Sequence, residues 1–150
     1  MCVKERIEKA VVNANNIEEV KTLLLDVLKK VREEGAEKIG YVAGIITSEG
    51  PENIDRNVKR LAGFADSVCL QSNFPIFSST YLITDALFEK LGMQTIAQAD
   101  WQKFWRDVLS SGFITDIFMT PRWEISYGSC DEHKTAQEVG MKIHYLTKEI

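Results

Sequence analysis

The chain contains little cysteine, proline or histidine: three, three and two residues, respectively, among 150. Because Cys2, Cys69 and Cys130 are widely separated, the sequence has neither a CxxC motif nor a disulfide framework. An odd number of scattered cysteines is typical of a reducing compartment, so we expect a cytoplasmic protein. Cys130 and His133 lie three residues apart on a predicted helix, but two ligands do not make a zinc site. We therefore expect no metal and no cofactor.

The sequence also lacks a long apolar run and an excess of basic residues. No apolar stretch approaches the roughly 20 residues that a membrane-spanning helix requires, and the charged N-terminus does not have the pattern of a signal peptide. The formal net charge is −4 and the isoelectric point is near 5.3. Proteins that bind duplex nucleic acid normally present a basic face. We therefore expect a soluble protein that binds neither membranes nor duplex nucleic acid.

The hydrophobic pattern predicts helices and strands in alternation along the chain. Helices are predicted at residues 3–14, 17–34, 84–91, 98–110 and 128–139, with another that begins at Pro51 and contains Ala65. Strands are predicted at residues 39–46, 68–70, 75–79, 114–119 and 141–146. Asn16 is a plausible N-cap for the second helix, and Gly35 ends it.

This alternation indicates an α/β protein, specifically a Rossmann-like or flavodoxin-like, mostly parallel sheet of four to five strands flanked by helices. We expect one domain over residues 1–150, in which a helical extension (1–38) precedes a core (39–146). In such sheets ligands bind beyond the carboxyl ends of the strands, near the point where the strand order reverses. The site is therefore predicted between the loops that follow Ile46 and Met119.

The segment from Pro121 to His133 carries the most informative residues at that edge. A strand is followed by a polar loop with Ser126 and Gly128, and then by a helix whose first turn is expected to contain Glu132. Backbone N–H groups at such a helix start can converge on a ligand. A carboxylate there is either a complement to the helix dipole or part of an active site.

Two motifs at the predicted edge resemble those of the nucleoside 2-deoxyribosyltransferase superfamily. The first strand reads Tyr41-Val42-Ala43-Gly44, which is similar to the family's Tyr-x-x-Gly. The later loop reads Ser126-Tyr127-Gly128-Ser129-Cys130-Asp131-Glu132, which is similar to its Ser-x-Gly-x-x-x-Glu. The run from Pro121 to Gly128 is closest to a small, uncharacterised and often phage-borne branch. The resemblance covers about residues 39–146.

The resemblance implies three catalytic residues. Glu132 would be the nucleophile that attacks the anomeric carbon of a ribosyl or deoxyribosyl group. Tyr41 would orient Glu132 or the sugar. Asp107, at the family's acidic position on the preceding helix, would contact the leaving base or relay its proton. The nucleophile should be ionised at neutral pH, which a helix N-terminus favours.

The resemblance also implies substrate-binding residues. Gly44 would let the sugar or phosphate approach the backbone, while Ser126 and Gly128 would hold the sugar 5′ end or a 5′-phosphate. The segment 71–100 would form much of the base pocket. Family members are commonly homo-oligomers, so a homodimer or higher homo-oligomer is expected.

The tryptophans have different expected roles. Trp123 lies in the ligand loop and is a candidate to cover a base or close the pocket. Trp101 and Trp105 are four residues apart, which favours a packed helix face over a stacking platform for bases.

The leading functional hypothesis is an enzyme that cleaves or transfers the N-glycosidic bond of a nucleoside or nucleoside 5′-monophosphate. Breaking this bond builds positive charge on the sugar, which a carboxylate beneath the ring can stabilise or trap. The sequence does not decide between a hydrolase and a transferase. The alternative is a protein that binds a nucleotide-like ligand without catalysis.

Overall fold

The computed structural model of the chain describes residues 3–149. Its four strands are β1 (Gly40–Ala43), β2 (Ile76–Ser78), β3 (Asp116–Met119) and β4 (Lys142–Tyr145). Its six α-helices are α1 (Lys4–Val11), α2 (Ile17–Glu33), α3 (Ile54–Gln71), α4 (Asp85–Leu91), α5 (Gln98–Leu109) and α6 (Tyr127–Val139). The expected α/β class is confirmed.

All strand pairs are parallel, and the strands lie in the order β2-β1-β3-β4. This is the order of a flavodoxin-like sheet without its fifth strand, so the domain is Rossmann-like. The chain leaves β1 for β2 on one side and then crosses back to β3 on the other. The strand order therefore reverses between β1 and β3, and a crevice opens beyond their carboxyl ends.

Each face of the sheet carries its own apolar cluster, because successive side chains of a strand point to opposite faces. Val42 and Phe118 face α3 and pack against its Leu61 and Phe64. Tyr41 and its face of the sheet belong to the larger cluster, which also contains side chains of α1, α2, α5 and α6. The two clusters fix which strand residues can reach the crevice.

The N-terminal helices are part of this domain core. Val20 and Leu24 of α2 are fully buried in the larger cluster, as is Ile7 of α1. The Asn16 side chain accepts a hydrogen bond from the Glu19 backbone N–H, which confirms the predicted N-cap. The apolar faces of the helical extension thus pack on the chain's own core, and Cys2 lies outside the described residues.

The strand predicted at Val68–Leu70 is wrong, because these residues form the last turns of α3. The apolar stripe through Leu61 and Ala65 continues with Val68 and Cys69 at helical spacing, and all four are buried. Leu70 falls on the opposite side of the helix and is 89% exposed. A short run of apolar residues does not by itself distinguish a strand from a buried helical turn.

The remaining elements agree with the predicted ones to within a few residues. Thr84 caps α4, and Gly92 ends it in the left-handed conformation with φ +58°. The second strand is therefore β2, within the predicted 75–79, and the sheet has four strands. Within residues 3–149, no helix combines the length and apolar character needed to cross a bilayer.

Candidate functional site

A cavity of about 410 Å³ opens beyond the carboxyl ends of β1 and β3. Gly44 and Ile46, which follow β1, form part of its wall. Ser126 and Gly128, at the start of α6, form another part. The cavity therefore lies between the two loops where the topology and the sequence placed the site.

Tyr41 and Glu132 meet at this cavity. Tyr41 points from β1 into the larger core cluster and is 1% exposed, while Glu132 comes from α6 and is 7% exposed. The Tyr41 hydroxyl lies beside the Glu132 carboxylate and acts on its pKa as a hydrogen-bond donor, and the Ser79 hydroxyl acts on the Tyr41 pKa in the same way. Among the described residues, the second carboxylate oxygen of Glu132 has no hydrogen-bond partner. That oxygen is buried as well as unpaired, which is unfavourable for an ionised carboxylate.

Burial raises the pKa of Glu132 to about 8. The hydrogen bond from Tyr41 lowers this pKa and the charge of Asp131 raises it, but desolvation is the largest influence. The same burial, together with Glu132, raises the pKa of Tyr41 well above its ordinary value. Glu132 is therefore mostly protonated at pH 7.

The expected position of Glu132 in the first helical turn is wrong, and so is the expected lowering of its pKa. Helix α6 begins at Tyr127, with Ser126 as N-cap accepting a hydrogen bond from the Ser129 N–H. Glu132 therefore lies in the second turn, and the first turn has no acidic residue. The helix dipole acts mainly within the first turn, so desolvation prevails.

Asp131, the neighbour of Glu132, also lines the cavity. Arg106 of α5 donates hydrogen bonds to both of its carboxylate oxygens over 2.6–3.2 Å. This ion pair joins α5 to α6 at the edge of the cavity. Asp131 therefore already has a cationic partner within the protein.

The structure does not bring Asp107 to the cavity, which contradicts the role expected for it. Its carboxylate pairs with Lys21 of α2 at 2.7 Å and with Lys103 at 2.8 Å, and these contacts lower its pKa. Asp107 is two positions beyond Trp105, so it points about 200° away around α5 from that cavity-facing side chain. The residue ties α5 to α2 and does not reach a leaving base.

Trp123 is likewise not in the cavity wall. Its ring stacks on the His133 ring at 4.3 Å, and the His133 Nε2 atom lies 2.7 Å from the Tyr145 hydroxyl. The Cys130 thiol contacts the Glu124 carbonyl oxygen at 3.2 Å. Over residues 3–149, no group of three or more potential ligands is arranged to hold a metal ion.

Helix α5 supplies a wall that the sequence reasoning missed. Trp101 and Trp105, expected as packed helix residues, line the cavity together with Gln98 and Gln102. The Trp105 ring also lies 5.0 Å from the Tyr41 ring. The missed signal was the pair of glutamines at helical spacing on the same face as the tryptophans. Apolar side chains of the preceding segment complete this side: Leu82, Ile83, Phe88, Met93 and Ile96.

Gly44 lines the cavity as expected, but a second reason requires glycine there. A Cβ at position 44 would lie 2.9 Å from Leu61 Cδ1 and would also collide with the Thr120 hydroxyl. That hydroxyl is held in place by its hydrogen bond to the Ala43 carbonyl at 2.8 Å. A side chain at position 44 would therefore point into tightly packed neighbours, and glycine avoids this clash.

Comparison of this chain with protein-family models, with curated proteins and with solved structures found no match in any of the three.

Replacing Gly44 by alanine should lower the free energy of unfolding by about 1–3 kcal/mol, because the new Cβ overpacks Leu61 and Thr120. Gly128→Ala is the matched control, since its Cβ would meet nothing nearer than Ser126 Oγ at 4.0 Å. Denaturant unfolding of both variants measures the difference. Equal effects at the two positions would contradict the packing explanation.

Glu132→Gln should remove a pH-dependent destabilisation. The folded chain keeps the Glu132 proton up to about pH 8, whereas the unfolded chain loses it near 4.5, so the free energy of unfolding falls as pH rises between these values. The stability of Glu132→Gln relative to the wild type should therefore increase by on the order of a few kcal/mol from pH 5 to pH 8. Denaturant unfolding at several pH values measures this change.

Glu138→Gln is the control, because Glu138 is an exposed glutamate of the same helix. It should keep the wild-type pH dependence. Parallel curves for the wild type and Glu132→Gln would show that the buried carboxyl has an ordinary pKa.

Proposed function

We propose that the protein cleaves or transfers the N-glycosidic bond of a nucleoside or nucleoside 5′-monophosphate, with Glu132 as nucleophile. One observation carries the proposal: the Glu132 carboxylate contacts the Tyr41 hydroxyl at a cavity bordered by the start of α6, with one carboxylate oxygen unpaired among the described residues. Both residues belong to the two motifs that resemble the nucleoside 2-deoxyribosyltransferase superfamily.

The chemistry suits this cavity. The ionised Glu132 oxygen forms a bond to C1′ of the sugar, and the electron pair of the C1′–N bond moves to the departing base. Positive charge on the sugar develops next to the carboxylate, in surroundings where little water screens the two charges. Water, or the nitrogen of a second base, then attacks C1′ and releases Glu132 as a carboxylate. The entering nucleophile loses one proton, and the departed base gains one.

The raised pKa of Glu132 favours a second candidate, a binding protein without catalytic turnover. A largely protonated carboxyl donates a hydrogen bond well but is a poor nucleophile. The placement of Asp107 away from the cavity points in the same direction, because no acidic residue from that position can relay a proton to the base.

Incubation with a panel of nucleosides and 5′-monophosphates, with free base measured by chromatography, separates the two candidates. We expect base release by the wild type and a loss of at least about 100-fold in Glu132→Gln, because the amide cannot form the glycosyl-enzyme. The matched control Glu138→Gln should retain wild-type turnover. Thermal stabilisation by the same compounds without base release would favour the binding protein.

The pH dependence of kcat/KM tests the role of the carboxyl directly. A nucleophile must be ionised, so kcat/KM should rise with pH through about 8. Tyr41→Phe removes a hydrogen bond that lowers the Glu132 pKa, and the rise should move to higher pH. Tyr127→Phe, which alters an exposed phenol, should leave the profile in place. A rate that falls through pH 8 would instead assign Glu132 the role of a general acid.

A further inference from the structure

The cavity contains no cationic side chain. Among the described residues in its wall there is no lysine, arginine or histidine, and the two ionisable acids are Asp131 and Glu132. A phosphate carries close to two negative charges at neutral pH and needs compensating charge or several hydrogen-bond donors when it leaves water. Nothing in the side chains of the wall supplies that charge.

Two arginines next to α6 already have carboxylate partners. Arg106 contacts both oxygens of Asp131. Arg122, in the loop that leads to α6, pairs with Glu49 at 3.2 Å. Recruiting Arg106 for a phosphate would leave Asp131 without this partner beside a second anion, which is unfavourable, whereas Glu49 would keep Arg56 at 3.1 Å if Arg122 moved.

The start of α6 does not replace the missing cations. The Tyr127 N–H donates to Ser48 Oγ at 3.2 Å, the Ser129 N–H donates to Ser126 Oγ, and the Cys130 N–H donates to the Ser126 carbonyl. Of these first four helical N–H groups, only that of Gly128 has no acceptor among residues 3–149. A helix terminus that binds phosphate offers several N–H groups to it, whereas this one leaves only the Gly128 N–H for a ligand.

The opposite wall fits a planar, uncharged ring. Trp101, Gln102 and Trp105 share one face of α5, and all three are half-buried. The Gln102 amide has no hydrogen-bond partner within the described part of the chain, and an amide both donates and accepts. Heterocyclic bases present edges with mixed donors and acceptors, which an amide can pair in a bidentate manner.

We infer that the ligand of this cavity is an uncharged nucleoside rather than a nucleotide, with its base against Trp101 and Trp105 and its polar edge paired with Gln102. The sugar then lies over Glu132 and Tyr41, and its 5′-hydroxyl is directed to the Gly128 N–H. This inference rests on the proposed function for the nucleoside nature of the ligand. It goes beyond that function by excluding a phosphate subsite and by assigning Gln102 to base selection.

An amide can stabilise a departing base but cannot give it a proton. Gln102 donates a hydrogen bond to the base as the C1′–N electron pair moves onto it, and the proton that completes the free base comes from water. Bases that leave readily as hydrogen-bonded anions are therefore the preferred ones. A glycosidase that uses Gln102 in this way needs no acid from α5, which is consistent with the Asp107 carboxylate pairing with Lys21 outside the cavity wall.

Binding to Glu132→Gln, in which turnover is blocked, tests the charge of the ligand. Titration calorimetry should be run with nucleosides and with the corresponding 5′-monophosphates at pH 7. We expect the nucleosides to bind at least about tenfold more tightly than their monophosphates. Equal or tighter binding of a monophosphate overturns the inference, and so does the absence of binding by every nucleoside in the panel.

Gln102→Leu tests base selection, with Gln137→Leu at an exposed glutamine of α6 as the matched control. The affinity for a nucleoside with polar base substituents should fall about tenfold in Gln102→Leu. The affinity for a nucleoside of benzimidazole, which lacks those substituents, should be unchanged, and this result also shows that the variant is folded. An equal loss for both compounds, or no loss for either, overturns the role of Gln102.

The proposed enzyme activity and the inferred uncharged ligand can be refuted independently of each other. Nucleosides that bind in preference to monophosphates without any base release would sustain the uncharged-ligand inference and refute the enzyme. Base release with kcat/KM higher for monophosphates would sustain the enzyme and refute the inference.

Discussion

The hydrogen bond between Tyr41 and Glu132 is the contact on which the rest of the site depends. It joins the central strand β1 to helix α6, and Ser79 connects the same hydroxyl to the end of β2. Three elements that are distant in sequence are thereby fixed around one carboxyl group. Because that carboxyl is desolvated, its burial lowers the stability of the protein near neutral pH, and the interaction with Tyr41 offsets part of this loss. Such a group is retained most readily where it serves a function at the expense of stability.

Much of the fold follows from local sequence signals. Asn16, Thr84 and Gly92 mark helix ends by capping chemistry that acts within a few residues, and the structure has the helix ends there. The crevice position follows from parallel topology alone, so the meeting of Tyr41 and Glu132 at one cavity could be expected from the order of the elements. The second predicted strand, Val68–Leu70, is wrong because a three-residue apolar segment has no period of its own.

The chemistry of the site depended on long-range contacts that local patterns do not encode. Asp107 occupies the expected position in sequence, but Lys21, 86 residues earlier, pairs with its carboxylate on the far side of α5. The direction of the Glu132 pKa shift is set by burial, and Glu132 lies in the second turn of α6, where the helix dipole has little effect. The spacing of Trp105 favours a packed helix face, whereas the residue is half-buried and lines the cavity.

A protonated Glu132 and the proposed uncharged ligand have the same electrostatic consequence, because both keep the cavity close to neutral. With Asp131 paired to Arg106 and Glu132 mostly protonated, the cavity is close to neutral at pH 7, so the proposed nucleoside would enter it without separating charges. In the proposed reaction, charge would appear only when Glu132 loses its proton and the sugar gains positive character, and the two charges would then stabilise each other in a poorly hydrated space. Interactions that strengthen only at that stage lower the barrier without tightening the binding of the ground state. A phosphate would add a fixed negative charge from the beginning, raise the Glu132 pKa further and make the ionised nucleophile harder to form.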